Sequence, residues 1–421
     1  MVEPPSSGHE LPVIVGIPCE TAPEERRVSI VPSAAKALER LGLEMVVQSG
    51  AGAAAGFPDA AYDEAGAAIV TNRDELFRKA EILALVRADP AAGPLPLQAG
   101  QFLLAQCDPL NCPDHAAALA ETGATIFSLE LVPRITRAQS MDVLSSMATI
   151  AGYKAVLTAA SLLPQLFPML MTAAGTLKPA RVLILGAGVA GLQAIATARR
   201  LGAIVSAYDV RPAVKEQVES LGAKFVEIPL QGGEGEGGYA KAMDEEFYRR
   251  QREFLQNVLA QTDVCITTAA IPGKKAPILI TSGMLQHMPP GSVVVDLAAE
   301  RGGNCENTQA GETTLCGHVT VAGPINLPST VPHHASQMYS SNLLSFLKLL
   351  VKKGRVLLDL EDEVVTGTLM AKGGQVVHEM VRTAGNMGPL PPPTPAEPEE
   401  PAAPEEPAAP PADTYRLSDG D

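Results

Sequence analysis

Short apolar runs alternate with longer segments rich in Ala, Leu and charged residues through most of the chain. That alternation is the signature of parallel strands joined by helical crossovers, and it predicts an α/β protein. A first series of strands reads LPVIVGIP (11 to 18), LEMVVQSG (43 to 50), ILALVRA (82 to 88), QFLLAQ (101 to 106) and ATIFSLE (124 to 130), with VPSAAKALERLG (31 to 42) as a helix. A second reads RVLILG (181 to 186), AIVSAYD (203 to 209), KFVEI (224 to 228), VCITT (264 to 268), GSVVVDL (291 to 297) and HVTVAG (318 to 323). Two series predict two Rossmann-like parallel-sheet domains.

Between the series, SMDVLSSMATIAGYKAVLTAASLL (140 to 163) has helical composition and no Pro, with Ser140 as a candidate cap. A matching segment, SQMYSSNLLSFLKLLVKK (336 to 353), follows the second series. Long helices joining the two series imply a discontinuous first domain, 1–143 with 335–388, wrapped around a second, 144–334. After Gly354, RVLLDLEDEVVTGTLMAKGGQVV reads as two or three strands closed by the Gly373-Gly374 turn. From Pro389 to Pro411, eleven of 23 residues are Pro, so residues 389–421 read as a disordered acidic tail of polyproline II character.

Composition narrows the function. A chain of 421 residues with 46% hydrophobic content can bury a core, which excludes global disorder. Its 32 Lys and Arg against 47 Asp and Glu leave a net charge of -15, which repels phosphate backbones and argues against nucleic acid as a partner. The tail accounts for -7 of this, with eight acids against Arg416. Six cysteines without a CxxC pair read as reduced, structural thiols rather than a disulfide framework. MVEPPSSGHE lacks the basic start and apolar run of a signal peptide, and the apolar stretch Ala155 to Met171 is interrupted by Pro and polar residues. The expectation is a cytoplasmic chain with no membrane-crossing segment and no metal site.

The strongest chemical signal is RVLILGAGVAGLQAIATARRLGAIVSAYDVR. Gly186, Gly188 and Gly191 have G-x-G-x-x-G spacing between an apolar strand and an Ala-rich helix, with Ala187 and Val189 filling the turn. Gly186 permits the tight turn, Gly188 lets a pyrophosphate approach the backbone, and Gly191 allows close packing of helix on strand. The helix start offers free N–H groups and a positive dipole end to phosphates. Asp209 ends the next strand, followed by Val210 and Arg211. An acid there accepts hydrogen bonds from an adenosine ribose and repels a 2′-phosphate. Arg211 admits an NADP reading, but the acid dominates, which favours NAD(H). A second glycine cluster, SGAGAAAGF (49 to 57), lacks such an acid and reads as packing or a turn.

Beyond this motif the chain resembles the family of alanine dehydrogenases and proton-translocating nicotinamide nucleotide transhydrogenases, and within it the NAD(H)-binding domain I polypeptide. The resemblance covers about residues 11 to 388 and rests on ETAPEERRVSIVP, VPRITRAQSMDVLSSMATIAGYKAV, the glycine motif, GGYAKAMDEEFYRRQ, TTAAIPGKKAP and VDLAAERGGNCE. It implies that Arg134, Gln139 and Asp142 hold the nicotinamide end of NADH, with Ser145 within reach of the carboxamide. It also implies a loop closing through Gly238 and Tyr239, and adenosine-side contacts from Thr268, Ala269 and Ala270. The implied activity is hydride transfer from NADH to NADP+ held by a partner domain, in a homodimer attached to membrane-embedded and NADP(H)-binding subunits. Hydride transfer between two nicotinamides needs positioning more than acid-base help.

Departures from the alanine dehydrogenase pattern select within the family. That enzyme handles its amino acid with a Lys in one apolar strand and a His in the next. ILALVRADP and FLLAQCDPL carry neither, although Arg27 is retained and Glu300 stands in place of an Asp. Two alternatives stay open: a stand-alone amino-acid dehydrogenase, and a sensor module that binds NAD(H) without turnover. His333 and His334 read as surface residues at a hinge.

Overall fold

The computed structural model describes residues 12–227, 245–270 and 273–388. Gly238 and Tyr239 lie outside the described residues, as do the end of the KFVEI run and the acidic tail.

The first sheet takes β1 (Val13–Ile17), β2 (Leu43–Gln48), β3 (Ala68–Val70), β4 (Ile82–Arg87), β5 (Phe102–Gln106) and β6 (Thr125–Ser128) from the N-terminal part of the chain. A small hairpin follows, β7 (Leu170–Thr172) with β8 (Gly175–Leu177). The second sheet contains β9 (Arg181–Leu185), β10 (Ile204–Tyr208), β11 (Lys224–Phe225), β12 (Val264–Thr267), β13 (Val293–Asp296), β14 (Thr313–Cys316) and β15 (Val319–Ala322). The last strands are the pair β16 (Val351–Lys352) and β17 (Arg355–Val356), then β18 (Leu369–Lys372) and β19 (Gln375–Val376).

The first sheet runs β19-β18-β6-β5-β4-β1-β2-β3 and the second β11-β10-β9-β12-β13-β15-β14. Within each, six parallel strands follow the doubly wound order, so the direction of winding reverses between β1 and β4 and between β9 and β12. Strands β18, β19 and β14 are the antiparallel additions. Helices on both faces of a parallel sheet require strands buried on both sides, and β9, β12 and β13 are apolar runs almost wholly buried.

Two long helices join the sheets. The linker helix, Val143–Leu162, starts at Asp142, whose side chain accepts the Ser145 N–H at 2.9 Å. Asp142 is therefore the N-cap, worth about 1 kcal/mol, and Ser140 is not: Asn342 donates to its carbonyl at 2.8 Å instead. By length and apolarity (mean hydropathy 1.3) the linker helix is sufficient to span a bilayer, a feature the interrupted Ala155 to Met171 stretch had hidden. It instead packs on the helix Val189–Arg200, where a Cβ on Gly152 would overlap the Ala190 carbonyl.

The return helix, Pro332–Leu350, begins four residues before the segment expected from sequence because Pro332 is well placed in a first helical turn. It enters the first sheet's core through Tyr339, Leu343, Phe346 and Leu347. Its Ser336 and Ser340 hydroxyls accept the backbone N–H groups of Val28 and Val31. EDEVVTGT, expected within a strand region, forms the helix Glu363–Thr368, because the Asp362 carboxylate accepts the N–H groups of Val364 and Val365. Glycines 373 and 374, both at positive φ, do close the β18–β19 hairpin. In the 49–57 cluster, Gly52 packs against Phe57 and Tyr62 and leaves no room for a Cβ.

Candidate functional site

The glycine turn lies at the C-terminal end of β9, at the reversal point of the second sheet. Gly186 has φ of 100°, and a Cβ there would lie 2.5 Å from the Thr268 hydroxyl, so only glycine fits. A Cβ on Gly191 would overlap the Gly186 carbonyl, which is how closely helix approaches strand. Gly188 differs: a Cβ there would meet nothing within 4 Å. It faces open space at the start of a 12-residue helix, with exposed Val189 beside it, and this arrangement suits a phosphate approaching backbone N–H groups.

Asp209 follows β10 and crosses to the turn, its carboxylate accepting the Ala187 N–H at 2.7 Å. Arg211 folds back on it: its backbone N–H and Nε donate to Oδ1 at 2.9 Å, and Nη2 donates to Oδ2 at 2.9 Å. The pair is largely withdrawn from water. Val210 packs partly buried behind it. The guanidinium that admitted an NADP reading is thus engaged by the acid that opposes one.

Thr268, Ala269 and Ala270 continue from β12 over the glycine turn. Thr268 donates its N–H to Leu185 O at 2.8 Å and its hydroxyl to Gly186 O at 3.0 Å. Ala269 is bonded to the side chain of Asn304, and Ala270 is exposed.

Arg134, Gln139 and Asp142 sit on the loop between β6 and the linker helix. Arg134 and Gln139 are exposed, while Asp142 caps the helix and also accepts the Ser145 hydroxyl at 2.6 Å. Residues 145, 149 and 152 share one helical face. Gly152 on that face abuts Ala190, so Ser145 stands roughly 10 Å along the helix from the contact with the glycine turn. Sequence reasoning missed the residues that brace this loop. Arg137 forks onto Asp362 at 3.0 and 2.9 Å, and Asn342 holds Ser140. These partners are more than 200 residues away in sequence, so no local signal could reveal them.

At the equivalent end of the first sheet, Arg27 is buried and its Nε and Nη2 fork onto Glu25 at 2.7 and 2.6 Å, with Asn326 Oδ1 at 3.1 Å. Burial alone would push the Glu25 pKa up, but the hydrogen bonds and charge of Arg27 outweigh it and leave it lowered. Arg87, at the end of β4, pairs with Asp89, and the amide nitrogen of Gln106, at the end of β5, is buried without a hydrogen-bond partner. Glu20 accepts the N–H groups of Val86 and Arg87, and desolvation pushes its pKa up to about 8. Across the cleft, Asp108 forks onto Arg301 at 2.7 and 2.9 Å, and Glu300 is exposed beside it. His333 and His334 are exposed, with His333 stacked on Phe57. Among the described residues, no group of three or more His, Cys, Asp or Glu is arranged to hold a metal, and none of the six cysteines is in a disulfide.

Fold and site together define a Rossmann-type nucleotide-binding α/β oxidoreductase. The chain belongs to the alanine dehydrogenase/PNT family: residues 16–151 match its N-terminal domain and residues 155–379 its C-terminal domain. It is 45% identical over 381 residues to the first of the polypeptides that make up the NAD(P) transhydrogenase alpha subunit of Rhodospirillum rubrum, covering 88% of this chain and 99% of that one. The crystal structure of a transhydrogenase from Sinorhizobium meliloti superposes with a TM-score of 0.78 at 46% identity, over 86% of this chain and 100% of that one. An L-alanine dehydrogenase structure superposes with a TM-score of 0.75 at 26% identity, over 89% and 99%.

Proposed function

We propose that this chain is the NAD(H)-binding subunit of a proton-translocating transhydrogenase. In this reading it presents NADH for direct hydride transfer to NADP+ on a partner subunit, giving NAD+ and NADPH. Proton movement through membrane-embedded subunits biases the exchange. The observation that carries the reading is a complete nucleotide turn in a chain whose amino-acid machinery is missing. Arg27 is consumed by Glu25, and the ends of β4 and β5 supply Arg87 and Gln106 where an amino-acid dehydrogenase needs Lys and His. Near end-to-end similarity to a transhydrogenase alpha-subunit polypeptide supports it.

Within this reading the pyrophosphate lies on Gly186, Ala187, Gly188, Val189 and Gly191, with the ribose at Asp209, Val210 and Arg211. The Asp209–Arg211 fork favours NAD(H) over NADP(H), because the arginine's charge is already matched. Thr268, Ala269 and Ala270 form the adenosine-side wall. Arg134, Gln139 and Asp142, with Ser145, orient the nicotinamide, and Gly238 and Tyr239 belong to the closing loop. The division into 1–143 with 335–388, 144–334 and the tail 389–421 is part of the same proposal.

A homodimer is also proposed, supported by the β7–β8 hairpin, whose Met169, Leu170, Met171 and Leu177 are exposed. The chain would then reside in the cytoplasm, held at the inner membrane by its partner subunits.

The test is hydride exchange from NADH to an NADP+ analogue, with and without an added NADP(H)-binding transhydrogenase domain. Exchange only in the mixture is the expected result. NADH binding without exchange, together with NAD-dependent oxidation of an amino acid, would overturn it in favour of a dehydrogenase; NADH binding with neither would leave a sensor.

A further inference from the structure

We propose that Asn304 is a positioning residue for the nucleotide, preorganising the Ala269 wall of the site through its carboxamide. The inference rests on the NAD(H) reading above and adds a residue to it. Ala269 lies just beyond β12, over the glycine turn, where neighbouring backbone no longer supplies its ladder partners. The Asn304 side chain supplies them: Oδ1 accepts the Ala269 N–H at 3.0 Å, and Nδ2 donates to Ala269 O at 2.8 Å. Nδ2 also donates to Pro277 O at 2.9 Å. A planar amide, with a donor and an acceptor side by side, can mimic a strand in this way; a carboxylate can only accept.

Asn304 is itself immobilised. It is fully buried, its N–H donates to Asp296 Oδ2 at 2.7 Å, and its carbonyl accepts from Leu279 and Ile280. Asp296, also fully buried, further accepts from Thr267 Oγ1, Thr308 Oγ1 and the N–H groups of Ala298 and Cys305. The turn that brings Asn304 to this place needs Gly302 and Gly303 at φ of 91° and 79°, and a Cβ on Gly303 would lie 2.9 Å from Asp296 Oδ2. The string DLAAERGGNC is therefore one device: an acid, a two-glycine turn and an amide that braces the peptide beside Gly186.

The test is N304D in the full chain, with NADH affinity read by fluorescence titration from pH 8 down to pH 6 beside wild type. The variant keeps the shape and the acceptor but sets a carboxylate against two carbonyl oxygens. At pH 8 its NADH Kd is expected to rise about tenfold. As pH falls, the introduced carboxyl, whose pKa burial raises, takes up a proton and can donate again, so affinity recovers while wild type stays flat. A folded N304D that binds NADH within twofold of wild type at pH 8, or one weakened without recovery at low pH, overturns the inference. In wild type, the Ala269 amide should exchange slowly with solvent before NADH is added; fast exchange overturns it even if the variant fails to fold. Failure of wild type to bind NADH would refute the NAD(H) reading itself.

Discussion

Gly152 of the linker helix and Ala190 of the nucleotide-turn helix meet backbone to backbone: a Cβ on Gly152 would lie 2.9 Å from the Ala190 carbonyl carbon and overlap its oxygen. The helix capped by Asp142 is thereby fixed against the helix that starts at Gly188. Two segments proposed to hold opposite ends of one dinucleotide share a rigid joint.

Gly152→Ala must push that joint apart. Overpacking of this kind costs about 1–3 kcal/mol, and the shift should also weaken NADH and slow exchange. Thermal melts with NADH titration check this. An unchanged Kd and rate would show that the joint does not set the site.

Asp209→Ala should weaken NADH severalfold and also destabilise the fold, since it leaves the Arg211 guanidinium without its acid and the Ala187 N–H without its acceptor. The stability loss is of the order of 3 kcal/mol. Removing Arg211 as well should recover part of the stability but none of the affinity. Wild-type affinity in the double variant would exclude Asp209 from ribose binding.

Gln139→Asn should leave NADH affinity largely intact and slow hydride exchange, because it withdraws an exposed amide by one methylene without touching the Asp142 cap or the Arg137–Asp362 fork. Single-turnover exchange beside equilibrium titration separates the two effects. An unaffected rate removes Gln139 from the mechanism.

Glu20 gives stability a pH dependence. Desolvation raises its pKa from 4.5 to about 8 in the folded state, so the native chain binds more protons than the unfolded one between those values. This contribution is fully present below the unfolded pKa and is lost as pH rises through the folded one. Glu20→Gln mimics the protonated acid, and denaturant midpoints should fall less between about pH 5 and 8 than in wild type. Parallel pH profiles would mean that Glu20 ionises freely.

The Asp108–Arg301 fork spans the cleft with both side chains nearly 40% exposed, so its worth to stability is below about 1 kcal/mol. Its effect should appear in kinetics: Arg301→Gln is expected to speed NADH release in stopped-flow measurements with little change in melting. Unaltered release would show that the fork does not restrain the cleft.

The strand series, the glycine turn and the acid after β10 were legible in the sequence because each is local. Apolar runs mark buried parallel strands, and glycine spacing follows from steric demands within a few residues. Asp142 displaced Ser140 as the cap because one side chain reached the Ser145 N–H, a choice between neighbours that composition does not resolve. EDEVVTGT reads as strand in sequence because its apolar residues are too few to separate strand from helix, and the Asp362 cap decided it.

Only tertiary structure decided the rest. Asn304 reaches Ala269 across 35 residues, Asn342 reaches Ser140 across 202, and Arg137 reaches Asp362 across 225. Arg27 looked like a substrate ligand in sequence and became an ion-pair partner of Glu25, tied to Asn326 from the other end of the chain. A side chain's type limits what it can bond, while its partner depends on which distant segment folds beside it, and that is set by packing two sheets around two shared helices.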